Sequence, residues 1–416
     1  MHTLPQSKII FTQSRIDTHL RIHRIEIQND IGSAMWKGQI RNDRKGFEGL
    51  LEKFRTIEKS NSQSISAVFM NPTGNYHAPL KAFLESNGFR VILVDARISE
   101  HIRMMLNLGR EKSDTADASV LAATARMKPS IFDTGSHERS ALSGITRMME
   151  SVKKNITRLI VQIKSDLAAA FPEYPFYDDV DSRTSLEILM KYATPASITS
   201  ATLQDILATM RISSKNHYGE EHARKLIDLA RESIGIPDTD GAYAYRIRMN
   251  VQRLKDEKVR LREIKEEVKK RSSGNQDISN ISEIRGMGEM NASTIVYEIG
   301  DIRQFSSSVK MQAYGGKASD ISGSGGSTHA TGVTRIRNPH LSSAIYESAV
   351  SLVANRSPEF SEIFAREIRK GKKPTQAYIV VGKRLLYHVY SIMKNHKPYR
   401  ERLPLMEGTV STQTSL

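Results

Sequence analysis

The sequence predicts an α/β domain followed by a mostly helical remainder, and three observations carry that prediction. Short apolar runs and an alternating segment fill residues 8–126. Apolar residues at intervals of three and four dominate residues 136–271. From about Ile281 a third unit mixes helix-like segments with a Gly/Ser-rich stretch. At 416 residues the chain is longer than one compact core usually runs, so two or three domains are expected.

In order, Ile9-Ile10-Phe11 is a short apolar run and residues 22–27 alternate apolar and polar, as a half-buried strand does. Residues 47–54 have helical spacing. Ala67-Val68-Phe69-Met70 and Val91-Ile92-Leu93-Val94 are further strand-like runs. The helical middle carries Met148, Val152, Ile156, Leu159 and Ile163, and later Val251, Leu254, Leu261, Ile264 and Val268 in a highly charged stretch. Such stripes pack against a partner helix, which gives a coiled-coil segment suited to holding subunits together. Phe171-Pro172-Glu173-Tyr174-Pro175 breaks the first long helix and Ser272-Ser273-Gly274-Asn275 ends the second. The boundaries read as 1–130, 131–280 and 281–404, with a polar tail over 405–416 expected to be disordered.

Lysine and arginine outnumber aspartate and glutamate 61 to 46, a formal charge of +15, with an isoelectric point near 9.7. That excess points to a polyanionic partner, nucleic acid first, against the plainer reading of a basic soluble protein. There is no cysteine, which excludes disulfides and thiolate metal sites. No apolar run approaches the ~18 residues of a membrane span, and nothing near the start has the order of a signal peptide, so a cytoplasmic protein with no membrane partner is expected.

Asp114 and Asp117 lie three apart in Lys112-Ser113-Asp114-Thr115-Ala116-Asp117-Ala118. On a helix that spacing puts both carboxylates on one face, where they can share a divalent cation; magnesium suits an all-oxygen site that also holds phosphate. The plainer reading is a solvated helix start with acidic residues favoured by the dipole. Ile284-Arg285-Gly286-Met287-Gly288 looks like the turn of a helix-hairpin-helix, whose backbone N–H groups approach a phosphate without reading bases; a plain helix-connecting turn is the alternative. Gln312-Ala313-Tyr314-Gly315-Gly316 leads into Ser322-Gly323-Ser324-Gly325-Gly326-Ser327, and glycines around a serine let a phosphate come close to the backbone; a flexible linker is the ordinary explanation. Arg335, Lys372, Lys373, Lys383 and Arg384 are candidate phosphate contacts or, one by one, solvated basic positions. His19 and His77 near the motifs read equally well as packing residues.

Asp17-Thr18-His19, Met70-Asn71-Pro72-Thr73-Gly74 and the Asp114/Asp117 segment, in that order and spacing, resemble the first domain of the insertion-sequence-110 transposases. The segment 284–399 resembles their second domain. The resemblance implies a RuvC-like RNase H fold with an Asp-Glu-Asp-Asp metal site, a coiled-coil segment and a serine-bearing helical domain. It also implies magnesium, donor and target DNA, a structured guide RNA as some members use, and a homo-oligomer, dimer or tetramer, that completes sites from both domains. Asp114 and Asp117 match the last two metal ligands. At the first position the register gives Gln13, with Asp17 four residues out of step, and at the second Asn71 stands in place of glutamate. The family's register places its nucleophile at Ser324, with Ser322 and Ser327 as alternatives; Arg335-Ile336-Arg337-Asn338 departs from the family's Lys-x-Gly-Asn. Two other function classes remain open: a regulatory DNA-binding protein whose metal site is impaired, and a hydrolytic nuclease of the Holliday-junction type that would ignore Ser324.

Overall fold

The computed structural model describes residues 8–13, 21–29, 34–61, 64–70, 76–93, 141–317, 319–324, 327–333 and 337–400. The chain divides into two compact units, residues 1–138 with 301–307 and residues 139–300 with 308–416.

The first unit is built on a five-stranded sheet. β1 (Lys8–Gln13), β2 (Ile22–Gln28) and β3 (Ala34–Arg41) form an antiparallel meander. β4 (Ile65–Met70) lies parallel to β1 and β5 (Val91–Leu93) parallel to β4, in the order β3-β2-β1-β4-β5. Helices α1 (Arg44–Asn61) and α2 (Ala78–Ser86) connect the later strands. Ile25 and Ile27 of β2 pack with Phe47, Leu50, Phe54 and Ile57 of α1 and with Leu80 and Leu84 of α2, because period-2 and period-3.6 apolar positions meet across the layers. The helix read over 47–54 therefore extends to 44–61, its first turn fixed by Asp43, whose Oδ1 accepts from Gly46 N at 2.7 Å. β3 gives no clear alternating pattern in the sequence. It is an edge strand, with Met35, Trp36 and Ile40 half-buried, and Lys37 pairs across to the buried Glu26 at 3.2 Å.

In the second unit the two long amphipathic stretches are α3 (Ala141–Ala170) and α9 (Ala242–Ser272). Arg246 near the start of α9 meets Asp166 near the end of α3 at 2.5 Å, so the pair is antiparallel. Leu159, Ile163 and Leu167 share a core with Ile247, Val251 and Leu254. Each stripe thus finds a partner helix within the same chain. Five shorter helices fill the connection: α4 (Tyr174–Tyr177), α5 (Arg183–Lys191), α6 (Pro195–Thr199), α7 (Leu203–Ser214) and α8 (Glu220–Arg231). The starts of α5, α6 and α7 are set by local oxygen caps, Ser182 on Ser185 N, Thr194 on Ser197 N and Thr202 on Asp205 N.

The chain continues through α10 (Gln276–Ser282), α11 (Glu289–Ile299), α12 (Ser308–Tyr314), the hairpin β6 (Ser319–Ser324) and β7 (Ser327–Val333), and then α13 (Pro339–Ala354), α14 (Pro358–Arg369) and α15 (Pro374–Asn395). Proline at the start of each of the last three helices satisfies the position where no amide hydrogen bond is lost. Leu341, Ala344, Ile345, Leu352, Phe360, Leu385, Leu386 and Val389 are buried in these helices. No helix among the described residues is long and apolar enough to cross a membrane.

Candidate functional site

Asp17, Asn71, Asp114, Asp117 and Arg335 lie outside the described residues. The sheet nevertheless says where two of the segments start. β1 ends at Gln13 and β4 at Met70; the strands are parallel neighbours with Phe11 opposite Phe69, so the chain leaves for Asp17 and for Asn71 from the same end of the sheet. Among the described residues no group of three or more His, Cys, Asp or Glu is placed to hold a metal ion.

The serine segment folds as an antiparallel hairpin. Ser322 faces His329 in the register, and Ser324 faces Ser327 as the last paired position before Gly325 and Gly326, which lie outside the described residues. Both feet of this hairpin are tied down by backbone bonds. Gly315 N donates to Met311 O at 2.9 Å and Lys317 N to Gln312 O at 2.8 Å, closing α12; on the return, Asn338 N donates to Tyr314 O at 2.8 Å. Gly316 sits at φ +67, and a side chain there would collide with that of Arg337.

A buried carboxylate holds the returning foot. Glu298 of α11 has a fully buried side chain, and Arg147 of α3 grips it with Nε at 2.6 Å and Nη2 at 2.5 Å. Asn338 adds a third bond from Nδ2 at 2.7 Å, while its Oδ1 accepts from His340 N and Leu341 N to cap α13. Tyr314 Oη lies 2.8 Å from Asn338 Nδ2. The pairing raises the Arg147 guanidinium above its ordinary value, hydrogen bonding to Glu298 outweighing the cost of burial. Beside it, His340 Nδ1 meets Glu150 Oε2 at 2.5 Å, and Lys154 Nζ meets Glu150 Oε1 at 2.7 Å. Burial pushes the Glu150 carboxyl up, but the hydrogen bonds from Lys154 and His340 bring it below the ordinary carboxylate range.

The glycine turn and the basic positions separate into two groups. Gly286, at φ +89, lies against α13: its carbonyl accepts from Ser351 Oγ at 2.8 Å, and a Cβ there would sit 3.0 Å from Ser351 O and from Asn355 Cβ. Gly288, the residue before α11, has open space where a side chain would go. Lys372 is held by Glu367 at 2.6 Å, and Arg384 by Glu359 at 2.5 Å with its guanidinium 5.0 Å from the Tyr387 ring centre. Lys373 and Lys383 are exposed and form no ion pair with a described residue.

Arg147, Glu298 and Lys317 around the hairpin feet, and the Glu359 cluster, carry no motif in the sequence. A signal existed for Glu298, a lone charge in the apolar run Ile295-Val296-Tyr297-Glu298-Ile299. Glu359 accepts from Arg384, from Tyr399 Oη at 2.7 Å and from His388 Nε2 at 3.1 Å; burial opposes its ionisation, yet these bonds hold it down at about 2.

Two family models match the chain: a DEDD transposase model of the IS110 type over residues 16–172, and a model of the IS116/IS110/IS902 transposase family over residues 278–365. A mini-circle protein of Streptomyces coelicolor named as a transposase for IS117 is 22% identical over 342 residues, covering 79% of this chain and 81% of that one. A 43.6 kDa protein of insertion element IS110 from the same organism is 22% identical over 309 residues, 71% of this chain and 74% of its own. A pilin gene-inverting protein of Moraxella bovis is 28% identical over 130 residues, 31% of this chain and 40% of that protein. With one model covering residues 16–172, a second covering residues 278–365, and relatives spanning most of the chain, the protein belongs to the IS110 family of transposases.

Proposed function

We propose that this transposase cuts and rejoins DNA through a covalent phosphoserine at Ser324. The observation that carries the reading is the mounting of the serine hairpin: Ser324 ends β6 at the last paired position, and both feet are bonded to α12 and to the buried Glu298–Arg147–Asn338 network. A nucleophile needs a fixed approach to its target, and a pinned hairpin supplies one that a loose Gly/Ser linker does not. In the step itself the Ser324 oxygen forms a bond to phosphorus as the bond from phosphorus to the leaving strand oxygen breaks. The serine proton passes to a base, for which the family resemblance nominates the carboxylate set, and that proton returns to the leaving oxygen, which departs as a hydroxyl. Because the phosphodiester energy is kept in the serine ester, reversal onto a new strand end rejoins DNA.

The sheet order β3-β2-β1-β4-β5, with an antiparallel meander followed by parallel strands, supports a RuvC-like RNase H fold for residues 1–130. Asp114 and Asp117, with Asn71 and either Asp17 or Gln13, would hold a magnesium ion, which would polarise the scissile phosphate and balance its charge. The chemistry of that donor set fits a hard cation but has fewer carboxylates than the family's four, which weakens binding until phosphate oxygens join. We further assign residues 131–280 to subunit contacts and residues 281–404 to the serine-bearing domain, with donor and target DNA and a structured guide RNA as partners.

The test incubates the protein with DNA and its co-purified RNA, digests it with protease and locates the adduct by mass spectrometry. A phosphoserine adduct on the peptide containing Ser324, lost in Ser324→Ala and in Asp117→Ala, is expected. An adduct on Ser322 or Ser327 moves the assignment. Cleavage to free hydroxyl ends that ignores Ser324→Ala gives the hydrolytic nuclease instead. A second reading, a regulatory DNA-binding protein, is favoured by Gln13 and Asn71 at two metal positions, and DNA binding without any cleavage is its signature.

A further inference from the structure

One buried cation is used by nothing described so far. Lys317 lies between α12 and β6, at the outgoing foot of the serine hairpin, with only 6% of its surface exposed. Its stem runs against α15, where a side chain at Gly382 would come 3.4 Å from Lys317 Cε and 2.8 Å from Ile345 of α13. Its Nζ lies 3.5 Å from Ser342 O, at the outer limit of hydrogen bonding. It forms no ion pair with a described residue. The charge that acts on it is another cation: Arg337, at the returning foot, lays its side chain across Gly316, next to Lys317 in the chain.

This arrangement is unusual for a lysine. Burying an ammonium without an anion costs several kcal/mol, which is why buried lysines are normally paired or replaced by apolar residues. Here burial and the neighbouring guanidinium pull Lys317 down to about 8, which leaves it mostly charged at neutral pH beside a second positive charge. The other described carboxylate near these feet, Glu298, is already saturated by Arg147 and Asn338. Two cations lie close enough to repel each other at the feet of the hairpin, and neither forms an ion pair with a described residue.

We propose that Lys317 and Arg337 form a binding site for a phosphodiester of the DNA backbone at the foot of the serine hairpin. A phosphate oxygen would supply Lys317 with an anionic acceptor closer than Ser342 O, and Arg337, which is exposed, would pair with the same phosphate from the solvent side. Lys317 precedes β6 and lies seven residues before Ser324 in the chain, a separation of at most about 23 Å at the rise of an extended strand. A DNA strand laid along the hairpin would then be anchored no more than about seven nucleotides from the phosphate at Ser324, at about 3.4 Å per step. The inference rests on DNA being the substrate, and not on Ser324 being the nucleophile.

The experiment measures binding of the full-length protein to a fluorescent 40-base-pair duplex at a series of salt concentrations. Lys317→Met keeps the stem and removes the charge, so it folds as the parent does, which a thermal melt verifies; it should bind about tenfold more weakly at low salt and its slope of log affinity against log salt should be shallower by about one. Arg337→Gln should act in the same direction. The double variant should lose less than the product of the two single effects, because both cations serve one phosphate. Wild-type affinity and slope in Lys317→Met would overturn the proposal, as would a loss that is the same at every salt concentration. The adduct assay on the parent protein is read separately: an absent adduct with a salt-dependent Lys317 effect removes the serine reading and leaves the phosphate site standing, and the converse removes only the phosphate site.

Discussion

At the scale of single residues, carboxylates decide how firmly the serine-bearing half is held. Glu298 is worth most as one member of a saturated set: removing one partner of a buried pair typically costs about 3–5 kcal/mol because the other charge is left unpaired. Glu359 acts similarly for the last helices, tying α14 to Arg384 and His388 of α15 and to Tyr399 beyond it. Its carboxyl, ordinarily near 4.5, is held at about 2. A depressed carboxylate contributes stability that is complete above its unfolded value and disappears as pH falls through the folded one. The contribution is therefore present above about pH 4.5 and lost between about 4.5 and 2, and it amounts to roughly 3 kcal/mol. Urea unfolding of Glu359→Gln between pH 5 and 3 should show a shallower acid decline than the parent. Parallel curves would remove this role.

At the scale of elements, the turn between α10 and α11 shows two glycines with different duties. Gly286 needs both its left-handed backbone and the absence of a side chain, since α13 passes directly against it. Gly286→Ala should lower stability by about 2–3 kcal/mol, combining the conformational cost with a forced shift of α13. Gly288→Ala, at an ordinary φ of −81 and in open space, should change stability by less than about 1 kcal/mol. If α11 presents its first amides to a DNA phosphate, the second substitution alone should weaken DNA binding without moving the unfolding midpoint. Denaturation curves beside binding isotherms separate the two. The opposite ranking in stability would show that the turn is held by something other than its approach to α13.

At the scale of the whole molecule, the excess of 61 basic over 46 acidic residues is a property no single site explains. Several of the basic residues first suspected of touching DNA are engaged within the protein, Lys372 with Glu367 and Arg384 with Glu359, while Lys373 and Lys383 are exposed. A protein that binds a polyanion through many unpaired surface cations loses affinity steeply with salt, by about one power of concentration per phosphate contacted. The full chain should follow that law on duplex DNA of any sequence. Lys372→Gln and Arg384→Gln should leave its slope nearly unchanged, whereas Lys373→Gln and Lys383→Gln should each reduce it. A slope that fell only in the first pair would mean that the intramolecular ion pairs open when DNA binds.

The amino-acid sequence by itself determined the family and most of the strands and helices, because those depend on the order of motifs and on apolar periodicity. The strand-like runs at 9–11, 22–27, 67–70 and 91–93 and the two long stripes were legible in that way. It also nominated Ser324, Asp114 and Asp117 by resemblance, which needs only spacing. Tertiary structure alone decided that the two stripes pack on each other, with Ile163 beside Val251 in one core, since an amphipathic face carries no name for its partner. The Gly/Ser-rich stretch, legible as a linker, became a hairpin because the pairing of Ser319 through Ser324 with residues 327–333 is set by backbone hydrogen bonds that composition does not encode. Glu298, Arg147 and Asn338 meet across 151 and 40 residues of chain, and Lys317 is buried only because Gly382 and Ile345 close over it. Charge and burial act at distances of a few ångströms in space, and those distances exist only after the chain has folded.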